Sequence, residues 1–284
     1  MLGFFVFFII FGYALSIWLN DPSILLIAVI VSVVQAFVSY FYSDKITLMT
    51  VRAREAKREE YLELHRLAEN LSIAAGLPKP KIYVINDASP NAFATGRDPK
   101  NACLVVSRGL LDKLNKVELE GVVSHELAHI GNYDIRLMTI VVVLVGAIAL
   151  ASDWSLRMRF WGSDDDNNSS GIWILLGIAL AILAPLSATL VQLAISRRRE
   201  YLADATGALI TRYPEGLASA LEKISADKSA THLQNRAVSH LFIADPYKAD
   251  RTKQVQQSWL QTVFSTHPPV AVRVARLRAM INNG

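Results

Sequence analysis

The sequence predicts a mainly α-helical protein with a small β-sheet: four transmembrane helices that carry a cytoplasmic domain. Three observations lead there. Of 284 residues, 52% are hydrophobic and only 19% are charged, below the usual quarter for a soluble protein. The apolar excess is gathered into four segments of membrane-spanning length. Between and after these segments lie polar stretches with helical periodicity, short β-rich runs and a cluster of metal-ligating residue types.

The four apolar segments come first. Residues 2–19 and 22–42 each approach the ~20 residues needed to cross the hydrocarbon core, and only Asn20 and Asp21 separate them, which predicts a tight helical hairpin. The first run has no basic leader and no small-x-small cleavage site, and a second run follows at once. It therefore reads as a retained span and not as a signal peptide. Residues 137–154 and 172–194 form the second pair, joined by a short polar loop containing Asp164, Asp165 and Asp166. Pro185 predicts a kink, which a membrane helix tolerates.

Orientation follows from Lys and Arg. Lys45, Arg52, Arg54, Lys57 and Arg58 follow the second span, and Arg197, Arg198 and Arg199 follow the fourth, whereas the loop between spans three and four has only Arg157 and Arg159. The positive-inside rule puts both termini and both large polar regions in the cytoplasm. The chain thus divides into a first hairpin (1–42), a cytoplasmic part (43–136), a second hairpin (137–194) and a second cytoplasmic part (195–284). The net charge is only +4, and its basic residues lie beside apolar segments. Anionic headgroups explain them, and nucleic acid is not expected as a partner. The single cysteine, Cys103, excludes an intramolecular disulfide and sits in an apolar run as a buried thiol.

In the first cytoplasmic part, residues 53–75 predict a helix, with Leu64, Leu67 and Leu71 at helical spacing and Gly76 as its stop. Residues 81–85, 91–95 and 102–107 read as strands, with Gly96-Arg97-Asp98-Pro99 turning between the last two. A helix then starts at Asn115, capped reciprocally by Glu118, and is expected to run unbroken towards the third span.

That helix contains His125-Glu126-Leu127-Ala128-His129. Positions i and i+4 share a helix face, so both imidazoles can hold one metal ion, and Glu126 stands beside the open coordination position where it can accept a proton from water. A hydrolytic metal site needs a third protein ligand; Glu200, His232, His240 and His267 have suitable atoms. Geometry favours Glu200. Along continuing helices, His129 stands roughly 12 Å before the third span and Glu200 roughly 9 Å beyond the fourth. Neighbouring spans would carry both to a similar height above the membrane. Asp204, one turn after Glu200, is placed to hydrogen-bond a ligand histidine.

Two segments, His125-Glu-Leu-Ala-His129-Ile-Gly-Asn-Tyr-Asp134 and Ser196-Arg-Arg-Arg-Glu200-Tyr-Leu-Ala-Asp204, resemble the signatures of the HtpX family of membrane zinc proteases, whose distant relatives are the CaaX prenyl-protein endopeptidases. Asn91-Ala-Phe-Ala-Thr-Gly96 and Thr266-His267-Pro268-Pro269 resemble two further family segments. The resemblance implies a gluzincin-type domain with one Zn²⁺ per chain, held by His125, His129 and Glu200, with Glu126 as general base. It implies that Asn91, Ala92, Phe93, Ala94 and Thr95 line the cleft as a strand onto which a substrate chain adds. It assigns His267 to the site, either stabilising an oxyanion or capping the last helix before Pro268 and Pro269. Asp134 either orients a ligand or caps. His65, His232 and His240 have no motif behind them. The implied activity is endoproteolysis of misfolded or damaged membrane proteins on the cytoplasmic side of the inner membrane, linked to stress.

Three rival readings are weaker. A prenyl-peptide processing protease has more spans around a large chamber. A metal-binding scaffold has no use for Glu126. A transporter would place an ionisable residue deep in a span, and none is there.

Overall fold

A computed structural model of the chain describes residues 9–10, 12–13, 16–17, 20–141, 197–227, 229, 231, 241, 243 and 268–282. The predicted spans at 137–154 and 172–194, apart from residues 137–141, lie outside the described residues, as do most of the first span, His232, His240 and His267. The chain divides into two compact units, residues 1–43 with 143–188, and 44–142 with 189–284.

In the first unit, helix α1 (Ser23–Phe41) covers 19 residues. Among the described residues it is the one helix long and apolar enough to cross a membrane. Leu26, Ile27, Ile30, Val33, Val34 and Phe37 are all exposed on it, which water penalises and lipid does not. A turn at residues 20–22 precedes it. Asn20 adopts a positive φ of 51°, and the Asp21 carboxylate accepts from the Ser23 N–H at 2.9 Å, starting α1.

The second unit is mainly helical with a four-stranded mixed sheet. After α2 (Ser43–Thr50) come β1 (Arg54–Glu55), α3 (Leu62–Ala75), β2 (Lys81–Ile85), β3 (Ala92–Gly96), a 3₁₀ turn at Pro99–Asn101 and β4 (Ala102–Ser107). Helices α4 (Arg108–Lys113), α5 (Lys116–Gly131), α6 (Arg197–Thr211), α7 (Pro214–Ala226) and α8 (Val270–Asn282) follow; residues 134–141 are also helical. The strand order is β1-β2-β4-β3. β2 and β4 run parallel, and β1 and β3 pair antiparallel at the two edges.

Two predicted helices need correction. The helix expected over 53–75 begins only at Leu62. Its first residues instead extend as β1, where Arg54 and Glu55 pair with Val84 and Tyr83 and the Ala56 N–H donates to the Ile82 carbonyl. Covering the edge of β2 satisfies backbone groups that helical periodicity cannot register. The leucine pattern itself holds: Leu64, Leu67 and Leu71 are buried, and Gly76 closes the helix at φ 66°. The helix from Asn115 also stops short. Its capping box forms in both directions at 2.9 Å, but α5 ends at Gly131, and Tyr133 takes a φ of 61° before helix resumes at 134–141.

The core is shared by sheet and helices. α5 packs against α6, α7, α3 and β3, burying Val122, Val123, Leu127 and Ile130 with Leu104, Val106, Leu217 and Leu221. Gly121 permits the closeness of α7: a Cβ there would come within 2.5 Å of the Leu217 backbone nitrogen.

Cys103 is buried in β4, as expected. Burial, with a smaller push from Asp44, raises its thiol to about 12. Native protein should therefore resist iodoacetamide at pH 8 and react quickly once denatured, because the thiolate is the nucleophile. Since the folded pKa lies above the unfolded one, Cys103 favours folding fully at neutral pH. That contribution is lost as pH rises from about 9 towards 12. Rapid alkylation of the native chain at pH 8 contradicts this.

Candidate metal centre

Two helices bring the centre together. His125 and His129 lie one turn apart on α5, and Glu200 stands in the first turn of α6. The helices approach closely because residue 207 has no side chain: a Cβ on Gly207 would meet the His125 backbone nitrogen at 2.9 Å. His125, Glu126, His129 and Glu200 are all buried.

The two histidine Nε2 atoms face each other at 3.2 Å. Glu200 completes the triangle, with Oε1 3.5 Å from His129 Nε2 and Oε2 3.9 Å from His125 Nε2. Donor atoms of the three residues all lie within 4.8 Å of one another, and the three can hold a metal ion. The outer nitrogens explain why. His129 Nδ1 is 3.0 Å from Asp134 Oδ2, and His125 Nδ1 is 3.1 Å from Asp204 Oδ1. With each Nδ1 directed at a carboxylate, both Nε2 atoms turn a lone pair inward towards the Glu200 carboxylate. Three such electron-rich atoms repel unless a proton or a metal cation lies among them. The residues present therefore fit a divalent ion.

Charge leads to the same fit. Among the described residues, four buried carboxylates (Glu126, Asp134, Glu200 and Asp204) face two arginines, Arg199 and Arg273. A divalent cation among these carboxylates is favoured by their charge. Burial opposes a proton on His129, yet hydrogen bonds to Asp134 and Glu200 and the charge of Glu200 raise it to about 10. A cation among the donors replaces that proton.

Glu126, next to the first histidine, has its pKa raised by burial, with the histidines pulling against that shift. Its carboxylate faces the backbone N–H of Ala94 in β3. The predicted strand 91–95 is thus found at 92–96, on the edge of the sheet and beside the site. The Ser107 N–H donates to the Asn91 carbonyl at 2.9 Å. Bonded pairs alternate in an antiparallel ladder, so Ala92, Ala94 and Gly96 turn their backbone groups outward. The Ala92 carbonyl accepts the Ile243 N–H at 3.1 Å, and the Gly96 N–H donates to Thr139 Oγ1 at 3.2 Å. Ala94 lies between them. Of the remaining histidines, His65 hydrogen-bonds the Ala56 carbonyl at 2.8 Å, a structural role.

One residue escaped the sequence reading. Arg273 of α8 is fully buried and grips Asp204 with two bonds, Nε to Oδ2 at 2.9 Å and a terminal nitrogen to Oδ1 at 2.6 Å. Its other terminal nitrogen is 3.5 Å from Glu200 Oε2. Burial alone would raise the Asp204 carboxyl, but Arg273 and His125 hold it at about 2. A signal was available: Arg273 shares a helix stripe with Val270, Val274 and Leu277, and a charge on an apolar stripe is there for a partner.

The model of peptidase family M48 matches residues 58–281. The chain belongs to peptidase family M48. Its relatives include a "Protease HtpX homolog" from Dictyoglomus thermophilum, 49% identical over 251 residues, covering 86% of this chain and 78% of that protein. A second, from Dictyoglomus turgidum, is 44% identical over 280 residues, covering 98% of this chain and 88% of that protein. This M48 peptidase also aligns with the crystal structure of S. mikatae Ste24p over 88% of its own chain and 57% of the other, at 20% identity and a TM-score of 0.49. The M48 chain is a metalloendopeptidase, in keeping with the HExxH helix and the third donor on α6.

Proposed function

We propose that this M48 peptidase is a zinc-dependent, multi-pass endopeptidase of the inner (plasma) membrane. It would use four spans and cut misfolded or damaged membrane proteins on the cytoplasmic side, as part of a stress response. The observation that carries the reading is the buried Glu126 carboxylate, which neighbours the three converging donors and faces the Ala94 backbone N–H of an edge strand. Two imidazoles and a carboxylate suit zinc, held by His125, His129 and Glu200. Bound zinc supplies Lewis acidity towards water and the scissile carbonyl.

The chain's own residues do the rest. Ala94 offers its backbone to an extended substrate, which lies along β3 over positions 91–95 as an added strand. The Ile243 N–H, bonded to the Ala92 carbonyl, has to yield where that strand reaches Ala92. Glu126 accepts a proton from the attacking water and delivers it to the departing amine. Asp204 and Asp134 hold the histidine rings in place, and His267 either steadies the oxyanion or caps α8. Four spans, as the sequence predicts, together with the positive-inside pattern would favour cytoplasmic loops and tails as substrates.

Elemental analysis of Glu200→Ala tests the ligand set. The variant, purified in detergent, should lose the one zinc ion per chain that the parent carries, and with it all cleavage of an unfolded membrane protein. Full zinc content in that variant removes Glu200 from the ligands.

A further inference from the structure

We infer that Asp134, held by Arg199, is a positioning residue that fixes the ring of His129 for metal binding; this rests on the metal site proposed above. The backbone supplies the first argument. On an unbroken helix, a residue five places after His129 would lie about 140° around the axis and about 7.5 Å along it, facing away from the imidazole. The chain instead breaks at Asn132 and Tyr133, the latter at φ 61°. The break returns Asp134 to within 3.0 Å of His129 Nδ1. A left-handed tyrosine carries a strain of about 1 kcal/mol or more, which the interaction helps to offset.

The second argument is where the carboxylate goes. Asp134 is buried. One oxygen meets His129, and the other lies 3.5 Å from a terminal nitrogen of Arg199. No backbone N–H among the described residues donates to it, so it does not cap the helical segment that follows. Arg199 immediately precedes Glu200 on α6. The chain Arg199–Asp134–His129 therefore ties the helix of the third donor to the ring of the second.

The arrangement repeats on the other side of the centre, where Arg273 holds Asp204 against His125. The two arms differ. Arg273 is fully buried, whereas the Arg199 side chain is 36% exposed. Asp204 is thus locked, and the arm through Asp134 is the looser of the two. With Nδ1–H donated to Asp134, His129 keeps Nε2 free of hydrogen and aimed at Glu200. Without that carboxylate the ring can take the other tautomer or turn away.

Zinc affinity tests this by competition with a chromophoric chelator on the full chain in detergent, comparing Asp134→Ala, Asp134→Asn, Arg199→Ala and the double variant Asp134→Ala/Arg199→Ala. Asp134→Ala should weaken zinc binding by about 10–100-fold. Asp134→Asn, which keeps the shape, should weaken it by about 10-fold without changing the melting temperature of the zinc-stripped protein; it decides the matter if the alanine variant does not fold. Arg199→Ala should cost less, and should cost nothing further once Asp134 is gone, because it acts through that carboxylate. Parental affinity in Asp134→Asn overturns the inference. Independent, additive losses in the double variant overturn the part given to Arg199. A parent chain that takes up no zinc refutes instead the metal site on which the inference rests.

Discussion

Glu126→Gln is expected to abolish peptide cleavage while one zinc ion per chain stays bound. Glutamine has the volume of glutamate and its amide oxygen can still face the Ala94 N–H, so the packing around residue 126, where only 3% of the surface is exposed, is preserved. What it cannot do is take a proton from water. Loss of a positioned general base costs about 10²–10⁴-fold in rate, and here the same carboxylate also reprotonates the leaving amine, so the upper end is expected. His125, His129 and Glu200 are untouched, hence the retained metal. The measurements are elemental analysis and gel-based cleavage of an unfolded membrane substrate. A variant that cuts at the parental rate would falsify the role given to Glu126.

Arg273→Met is the second large effect, and it falls on stability. Methionine roughly fills the space but leaves Asp204 without its two hydrogen bonds and Glu200 without the guanidinium 3.5 Å from it. Breaking a buried ion pair from one side costs about 3–5 kcal/mol. For a domain of this size that lowers the melting temperature by about 6–20 °C. Zinc should restore part of the loss, because a cation re-pairs Glu200 and, through His125, Asp204. Thermal unfolding with and without zinc measures both quantities. A drop of less than 2 °C shows that the buried guanidinium is not what holds these carboxylates.

The same site shows where sequence patterns stop being informative. The leucines at 64, 67 and 71 announced a helix face, but nothing local said that residues 54 and 55 would leave that helix. They do so because β2 needed an edge partner, a demand made by residues 81–85 nearly 30 positions away. The strand at Ala92–Gly96 was legible in its small and β-prone residues. Its place at the sheet edge, with Ala94 against Glu126, followed from pairing with β4. Arg273 looked like one more basic residue of the last helix until α8 packed and buried it.

By itself, the sequence determined what depends on local spacing and chain chemistry: a 19-residue apolar helix, the reciprocal cap at Asn115, two imidazoles one turn apart, and a buried thiol in an apolar strand. Each is fixed within a few residues by helix pitch, strand alternation or burial. Spacing also favoured Glu200 as the third donor. Tertiary structure alone decided that the helices meet closely enough at Gly207 for Glu200 to reach both histidines. It also decided that the helix breaks after His129 so that Asp134 turns back, and that Arg273 becomes a buried counter-charge at the centre. Those outcomes depend on electrostatic and steric complementarity between segments as much as 148 residues apart, and such complementarity exists only once the chain has closed on itself.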